Sequence, residues 1–262
     1  MIGYSMVSIF LRSLVFNVLF YLVLVFWIIV ALPTFALPAR AVFAVAGWWA
    51  QSSLFLMRVV CNIEVEFRGV EKIPKGPLLV ASKHQSFWET FALLQFFERP
   101  IFILKRQLTW IPVFGQFLIK ANMIAIDRTA GAKALLSMTR RARDAVRGGC
   151  QLVIFPEGTR TPPGAPPAYK TGIAQIYVTC GVPCLPVALN SGLFWPRRTF
   201  MRYPGTLVVE FLDPLPAGLP RDEFLNRIRT AVEEATSRLV ESGRAEQMRL
   251  FGRVPGPAPS KS

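Results

Sequence analysis

The stretch PLLVASKHQSFWETFALLQFF, residues 77–97, contains the change from strand to helix on which the fold prediction depends. Its opening run, PLLVA, is apolar without interruption, which favours a buried strand ending near Ala81. A short polar turn follows, and the apolar residues of a helix begin at Phe87. The stretch therefore predicts a strand, a turn and a helix, with the polar side chains of the turn at the carboxyl end of the strand.

The turn contains the only histidine of the chain, His84, and a carboxylate five positions later, Glu89. Ser86 and Glu89 have the spacing of a capping box, in which the serine oxygen and the glutamate carboxylate each accept a backbone N–H at the start of a helix. The same geometry brings Glu89 within reach of His84, where a carboxylate fixes the tautomer of the imidazole and stabilises its protonated form. Glu89 is therefore either a helix cap or the partner of a catalytic histidine, and both interpretations predict the same local fold.

Short apolar runs like PLLVA recur along the chain and alternate with helical periods. Apolar spacing predicts one helix that the pair Gly148-Gly149 closes, as a C-terminal cap does, and another from Phe224 to Leu239. Strands that alternate with helices predict an α/β fold, a mixed central sheet flanked by helices, over residues 62–250. The predicted strands are IEVEF (63–67), PLLVA (77–81), IFIL (101–104), MIAI (123–126), QLVIF (151–155), LPVAL (185–189) and LVVEFL (207–212).

The composition indicates a lipid environment and an anionic partner. Of the 262 residues, 52% are hydrophobic and 18% are charged, and the formal net charge is +14. Such a charge attracts anionic lipid headgroups, a phosphorylated substrate or nucleic acid. Nucleic acid is the weakest of these interpretations, because the basic run RRARDAVR (140–147) is mixed with apolar helix positions and the chain has no aromatic RNA-binding motif.

The four cysteines, Cys61, Cys150, Cys180 and Cys184, do not have the paired spacing of a zinc site. A single histidine cannot complete such a site either. We therefore expect no bound metal, and we expect the cysteines to be reduced thiols in the core, as in a reducing compartment.

The first 61 residues are predicted to anchor the chain in a membrane. Residues 13–37 run for 25 positions without a charge, and about 20 such residues span the hydrocarbon core of a bilayer. A secretory signal peptide is the alternative, although its apolar region is usually about 7–15 residues long. A second apolar stretch, residues 41–57, contains paired tryptophans and allows three interpretations: a second span, a re-entrant leg or a helix in the headgroup layer. Residues 251–262 have the composition of a disordered tail.

A second polar cluster, FPEGTR (155–160), follows the predicted strand QLVI. It places Glu157, Gly158, Thr159 and Arg160 in one turn at a strand end. Glycine lets the backbone approach a ligand closely, and the planar fork of an arginine matches a phosphate group. The alternative is an ordinary polar turn that a surface ion pair closes.

Cations also follow two other predicted strands. Lys105 comes directly after IFIL, and Arg128 closes the sequence AIDR (125–128). Because ligands of an α/β sheet bind outside the carboxyl ends of its strands, the three basic strand ends predict one pocket that binds an anion.

Four motifs in this order resemble the glycerolipid acyltransferases, whose best-known members are lysophosphatidic acid acyltransferases. The family pattern is a histidine and, after four residues, an aspartate; a tripeptide ending in Asp-Arg; Phe-Pro-Glu-Gly-Thr-Arg; and a later apolar segment around Pro-Val. The corresponding residues are His84 to Glu89, Ile126 to Arg128, Phe155 to Arg160, and Leu185 to Leu189. The resemblance covers about residues 62–215, and its one departure is Glu89 in place of the usual aspartate, which adds one methylene to the side chain.

The resemblance implies transfer of a fatty acyl group from acyl-CoA or acyl carrier protein to a hydroxyl, with no metal and no further cofactor. It implies that His84 is the general base, a role worth roughly 10²–10⁴-fold, and that Glu89 orients it. Transfer to a bound hydroxyl requires no acyl-enzyme. Because both thioesters are cytosolic, the catalytic domain is expected on the cytoplasmic side of a membrane, in bacteria the inner membrane. The residues expected to bind substrate are Lys105, Arg128, Glu157, Gly158, Thr159 and Arg160.

Several alternatives stay open at this point. The acceptor is 1-acyl-sn-glycerol 3-phosphate, glycerol 3-phosphate or another lysolipid such as a lyso-ornithine lipid, and the chain length favours the first. A serine hydrolase using Ser86 and His84 would need a Gly-x-Ser-x-Gly elbow, which the sequence lacks. A basic membrane-tethered binding protein is the alternative from outside the enzymes.

Overall fold

The computed structural model describes residues 4–127 and 131–255, and within them helices cover both faces of one seven-stranded sheet. The strands are β1 (Ile63–Arg68), β2 (Leu78–Ser82), β3 (Pro100–Lys105), β4 (Ile124–Ile126), β5 (Gln151–Ile154), β6 (Cys184–Leu189) and β7 (Gly205–Phe211). The α-helices are α1 (Met6–Ala31), α2 (Arg40–Cys61), α3 (Glu89–Ala92), α4 (Phe114–Lys120), α5 (Gly131–Arg147), α6 (Gly172–Cys180), α7 (Ser191–Phe194) and α8 (Arg221–Phe251).

The sheet is mixed, as the sequence predicts, and its strands follow the order β1-β7-β6-β2-β5-β3-β4. All neighbouring strands are parallel except β6 and β7, which are antiparallel. In the pairing of β2 with β5, Ala81 lies opposite Ile154. The two polar turns that follow these strands therefore leave the same edge of the sheet side by side.

The alternating side chains of β2 fill two separate halves of the core. Leu78 and Val80 point to the face that α2 and α3 cover, whereas Leu79 and Ala81 point to the face that α5, α6 and α8 cover. All four side chains are fully buried. A strand buried on both faces requires an uninterrupted apolar run, which is why PLLVA does not alternate with polar residues.

Helices α1 and α2 form an antiparallel hairpin, with the 3-10 turn Leu32–Ala36 at its tip. Near its base, an Arg12 Nη1 donates to the carbonyl of Val60 at 3.0 Å. Further along, the Trp27 indole N–H donates to Ser52 Oγ at 3.2 Å. The second apolar stretch of the sequence is therefore a helix that returns along the first.

One helix of the described residues is long and apolar enough to cross a membrane, Met6–Ala36, with a mean hydropathy of 2.8 and only 17% of its most apolar window buried. One face of this helix packs on the sheet domain, since Phe16 and Phe20 belong to the largest core cluster. The backbone N–H of Arg202 donates to Ser13 Oγ at 2.9 Å, and its guanidinium donates to Asn17 Oδ1 at 3.1 Å. The helix indicates membrane association, and it is joined to the sheet domain through polar as well as apolar contacts.

The helix after the histidine turn is shorter than its apolar pattern suggests. Helix α3 has a single turn, Glu89–Ala92, and continues as the 3-10 turn Leu93–Phe96. The chain must then extend into β3, and Pro100 disfavours a helical residue before it. The two other predicted helices are present as α5 and α8, and Gly149 ends the first with a left-handed φ of 85°.

The four cysteines are free, and Cys61, Cys150 and Cys184 are buried. Burial raises the pKa of the half-buried Cys180 to about 11. The expectation of unpaired core thiols is therefore confirmed for three of the four, and Cys180 is partly accessible.

Candidate active site

The turns after β2 and β5 lie against each other through three contacts. The Thr161 backbone N–H donates to the carbonyl of His84 at 2.7 Å. The His84 ring stacks on Phe155, with centroids 3.9 Å apart and planes inclined by 17°. Lys83 forms an ion pair with Glu157 at 2.9 Å. The two motifs therefore form one rigid site at the edge of the sheet.

The carboxylate of Glu89 makes the contacts of both interpretations at once. Its Oε1 accepts the backbone N–H groups of Gln85 and Ser86 at 2.6 and 2.7 Å, as a helix cap does. The same oxygen lies 2.9 Å from His84 Nδ1. Its Oε2 accepts the hydroxyl of Ser191 at 2.9 Å. The capping box is only half formed, because Ser86 Oγ accepts from the N–H of Trp88 instead of Glu89.

The Glu89 carboxylate sets the chemistry of the His84 ring. Glu89 Oε1 already accepts two backbone N–H groups, so it also accepts from the ring, and Nδ1 carries the proton and donates it. The lone pair then lies on Nε2, the nitrogen available for proton transfer. The His84 side chain is 15% exposed, which leaves the ring accessible at the mouth of the site.

The turn FPEGTR is built around a left-handed glycine and a buried carboxylate. Gly158 has φ 67°, and its N–H donates to the carbonyl of Phe155 at 2.9 Å. The side chains of Glu157 and its ion-pair partner Lys83 are 1% and 3% exposed. The interpretation of this motif as a polar turn closed by a surface ion pair is therefore wrong, since the glutamate points inward.

Lys83 also bridges this turn to helix α8. Its ammonium lies 2.8 Å from Glu233 Oε1 and 2.9 Å from Glu157 Oε1. The hydroxyl of Tyr169 donates to the same oxygen of Glu233 at 3.0 Å, and burial raises the pKa of this tyrosine. The two carboxylates thus share one ammonium, and Glu233 also accepts from the phenol, at a junction of three chain segments.

Positive charge gathers on the other side of the turn. Burial, and then the charge of Arg197, lower the pKa of the half-buried Arg160 guanidinium. Arg197 Nη1 donates to the carbonyl of Arg160 at 3.0 Å, and the charge of Arg198 also acts on Arg160. Among the salt bridges of residues 4–127 and 131–255, none involves these three arginines. Neighbouring guanidinium groups that form no salt bridge attract an anion, and the planar fork of an arginine suits a phosphate.

An acyltransferase family matches residues 64–190, the part of the chain that contains both motifs. The 1-acyl-sn-glycerol-3-phosphate acyltransferase of Pseudomonas aeruginosa is 41% identical over 177 residues, which are 68% of this chain and 68% of that protein. The chain belongs to the glycerolipid acyltransferase family. It is an enzyme, an acyltransferase, and the predicted resemblance to this family is confirmed.

A more distant relative and a solved structure are also similar to this chain. The 1-acyl-sn-glycerol-3-phosphate acyltransferase of Cocos nucifera is 29% identical over 145 residues, 55% of this chain and 47% of that one, so the chain spans about half the length of this plant relative. The crystal structure of the 1-acyl-sn-glycerophosphate (LPA) acyltransferase PlsC from Thermotoga maritima aligns with a TM-score of 0.72 over 87% of this chain and 97% of that one, at 23% identity. This chain therefore has the same fold as the Thermotoga maritima protein.

The structure describes two of the three remaining predicted site residues of the acyltransferase. Lys105 is exposed at the carboxyl end of β3, beside β5 in the sheet, and makes no ion pair within the described part of the chain. Thr159 is exposed at the tip of its turn. Arg128 lies outside the described residues. Those residues contain no group of three histidine, cysteine, aspartate or glutamate side chains that could hold a metal ion.

Three residues of the site have no signal in the local sequence. Lys83 meets a carboxylate 74 positions away, and Ser191 meets Glu89 across 102 positions. Arg197 joins Arg160 across 37 positions. Only strand order could have found Ser191, because it follows β6, which pairs with β2.

Proposed function

We propose that this acyltransferase transfers a fatty acyl group from acyl-CoA or acyl carrier protein to the free hydroxyl of 1-acyl-sn-glycerol 3-phosphate, giving phosphatidic acid. The observation that carries the proposal is the hydrogen bond between His84 Nδ1 and Glu89 at 2.9 Å, beside a cluster of arginines. A proton acceptor next to a phosphate-binding surface suits an acceptor that carries both a hydroxyl and a phosphate. The names of the Pseudomonas and coconut relatives support the same substrate.

In this proposal His84 Nε2 takes the proton of the acceptor hydroxyl as its oxygen attacks the thioester carbonyl. The tetrahedral intermediate expels the thiolate, which receives that proton from the imidazolium. Glu89 stays ionised throughout, holds the ring in one tautomer and stabilises its positive charge. Ser86 takes no part as a nucleophile, because its hydroxyl is fully buried and accepts from Trp88.

The acceptor phosphate is assigned to Arg160, with Lys105 and Arg128 as further cations, and we add Arg197 for its contact with Arg160. Glu157 orients the turn through Lys83, Gly158 permits close approach of the backbone, and Thr159 offers a hydroxyl at the exposed tip. Bidentate arginine contacts give a phosphate both binding energy and a fixed orientation. No metal or further cofactor takes part in the proposed reaction.

The proposed location is a bacterial inner membrane, with the catalytic domain on the cytoplasmic side, because both thioester donors are cytosolic. Residues 1–61 act as the membrane anchor and residues 62–250 as the catalytic domain. Of the tail predicted for residues 251–262, Phe251 is instead the last residue of α8, and residues 256–262 lie outside the described residues. The exposed Arg40 and Arg58 flank the apolar segments, and loops rich in cations stay inside.

The test is an assay of the purified chain with a panel of acceptors: 1-acyl-sn-glycerol 3-phosphate, glycerol 3-phosphate and a lyso-ornithine lipid, each with both donors. We expect the first acceptor to give the highest kcat/KM. His84→Ala should retain the circular dichroism spectrum and lose roughly 10²-fold or more of the rate. A higher kcat/KM for either of the other acceptors would contradict the proposed substrate, and an active His84→Ala would contradict the mechanism.

A further inference from the structure

Residues 106–120, between β3 and β4, expose apolar side chains that the fold leaves uncovered. Trp110 is 66% exposed, more than any other tryptophan of the chain. Large apolar side chains clustered on a surface mark a contact with another molecule or with a membrane. The other exposed apolar side chains of this segment are Leu108 (39%), Ile111 (45%), Val113 (40%) and Ile119 (55%).

The segment is held in a fixed shape. Gly115 packs so closely on the preceding turn that a Cβ would lie 2.2 Å from the carbonyl oxygen of Thr109. Val113 has φ 63°, a conformation that costs a β-branched residue of order 1–3 kcal/mol and persists only where the surroundings impose it. The surrounding contacts thus hold the segment in a strained conformation in which these apolar side chains point outward.

The same segment is joined to the tip of the α1–α2 hairpin. Phe117 stacks on Phe35 of the tip with centroids 4.5 Å apart, and Lys120 donates to the carbonyl of Phe35 at 3.0 Å. Phe117 and Ala121 form a buried cluster with hairpin residues, Ala31, Val42 and Val45. The apolar surface of the segment is therefore continuous with the exposed apolar residues of the hairpin tip, among them Leu32 and Leu37.

Cations border this apolar surface. Lys105 precedes the segment, Arg106 begins it, Lys120 ends it, and Arg40 follows the hairpin tip. Among the described residues, Arg106 forms one ion pair, with Asp127 at 3.7 Å. An exposed tryptophan with flanking lysine and arginine is the arrangement that binds the interfacial layer of an anionic bilayer.

We propose that residues 106–120 form a second membrane-contact surface, which inserts Trp110 and its apolar neighbours into the same leaflet as the hairpin. The occupant is lipid, because the surface continues that of the candidate membrane helix and carries the complementary charge. The segment begins directly after Lys105, at the sheet edge that holds His84. A lipid acceptor would then reach the site from the bilayer without crossing water.

The first experiment uses the full-length chain with Cys180→Ser and one added cysteine, labelled with a bimane fluorophore. The probes are phosphatidylethanolamine and phosphatidylglycerol vesicles with brominated acyl chains. We expect a label at Trp110→Cys to be quenched as strongly as one at Val25→Cys on the exposed face of α1. A label at Ser237→Cys, exposed on the helix that covers the opposite face of the sheet, should not be quenched.

Equal, weak quenching at positions 110 and 237 would overturn the proposal. So would an emission shift at position 110 that follows protein concentration in lipid-free detergent, because that result would assign the surface to a second copy of the chain. Quenching is measured without any enzymatic reaction, so its result does not depend on whether the proposed acceptor is correct.

The second experiment separates membrane contact from chemistry. Trp110→Glu should raise the KM for an acceptor presented in vesicles by about tenfold, with kcat and the KM for a monomeric short-chain acceptor unchanged. Leu136→Glu is the matched control, since Leu136 is 65% exposed on α5, away from the hairpin. An equal effect of both variants, or a Trp110→Glu defect that persists with the monomeric acceptor, would contradict a membrane role for this segment.

Discussion

The four hydrogen bonds on the Glu89 carboxylate combine a structural task with a chemical one. Three of them come from groups of its own turn and the fourth from Ser191 beyond β6. An amide can still accept the backbone N–H bonds, but it carries no charge to stabilise an imidazolium. Substitution by an amide therefore separates the two tasks.

We expect Glu89→Gln to fold and to lose most of its turnover. Glutamine also serves a capping box, so the midpoint of urea unfolding should change little. Loss of the charge beside His84 should lower kcat by roughly 10²-fold or more, the scale of general base catalysis. If the variant is instead much less stable and its turnover per folded molecule is unchanged, Glu89 serves only as a helix cap.

Arg160 permits a test of phosphate binding that leaves the histidine untouched. Arg160→Lys replaces a bidentate fork by a point charge, so the KM for the acceptor should rise well before that for the acyl thioester. Steady-state kinetics with each substrate varied in turn measure the two constants. Equal increases in both would place Arg160 outside the acceptor site.

At the scale of elements, the sequence predicted all seven strands, because each is a run of branched or aromatic residues bounded by turn residues. It did not predict α4 or α6. Helix α4 begins inside WIPVFG (110–115), where Pro112 and the strained Val113 do not have the pattern of a helix N-terminus. Helix α6 is too uniformly apolar to show a helical period. Pairs such as Lys83 with Glu157 depend on which strands become neighbours, and local patterns do not contain that information.

The junction of Lys83, Glu157 and Glu233 connects the ends of two strands to α8. Removing the ammonium leaves two carboxylates close together, one of them fully enclosed. Lys83→Met should therefore lower the free energy of unfolding by about 3–5 kcal/mol, as measured by urea denaturation. The double variant Lys83→Met/Glu157→Gln removes the enclosed carboxylate as well and returns the junction to its original net charge, so it should recover part of this loss. A single variant as stable as the parent would show that the junction does not hold the site together.

At the scale of the whole molecule, the sheet domain contacts the apolar hairpin at both of its ends. At the base, Tyr4 packs on Phe251 of α8 with ring centroids 5.8 Å apart and accepts a hydrogen bond from Asn62. At the tip, Phe35 stacks on Phe117 of α4. Because both ends of the hairpin contact the same charged domain, insertion of the tip through a bilayer would pull α4 into the hydrocarbon, where charged groups are costly.

From this geometry and the cytosolic location of the proposed thioester donors, we expect both the hairpin tip and α8 to face the cytoplasm. In intact spheroplasts of a bacterial host, a membrane-impermeant maleimide should label neither Ser237→Cys on α8 nor Leu37→Cys at the hairpin tip, each in a Cys180→Ser background. Lysis should make Ser237→Cys reactive, which serves as the control for thiol competence. Labelling of Leu37→Cys alone would mean that the hairpin crosses the bilayer in spite of its contacts with α4. Labelling of Ser237→Cys from outside would place the catalytic domain away from acyl-CoA and acyl carrier protein, and so contradict the cytoplasmic orientation and the thioester donor together.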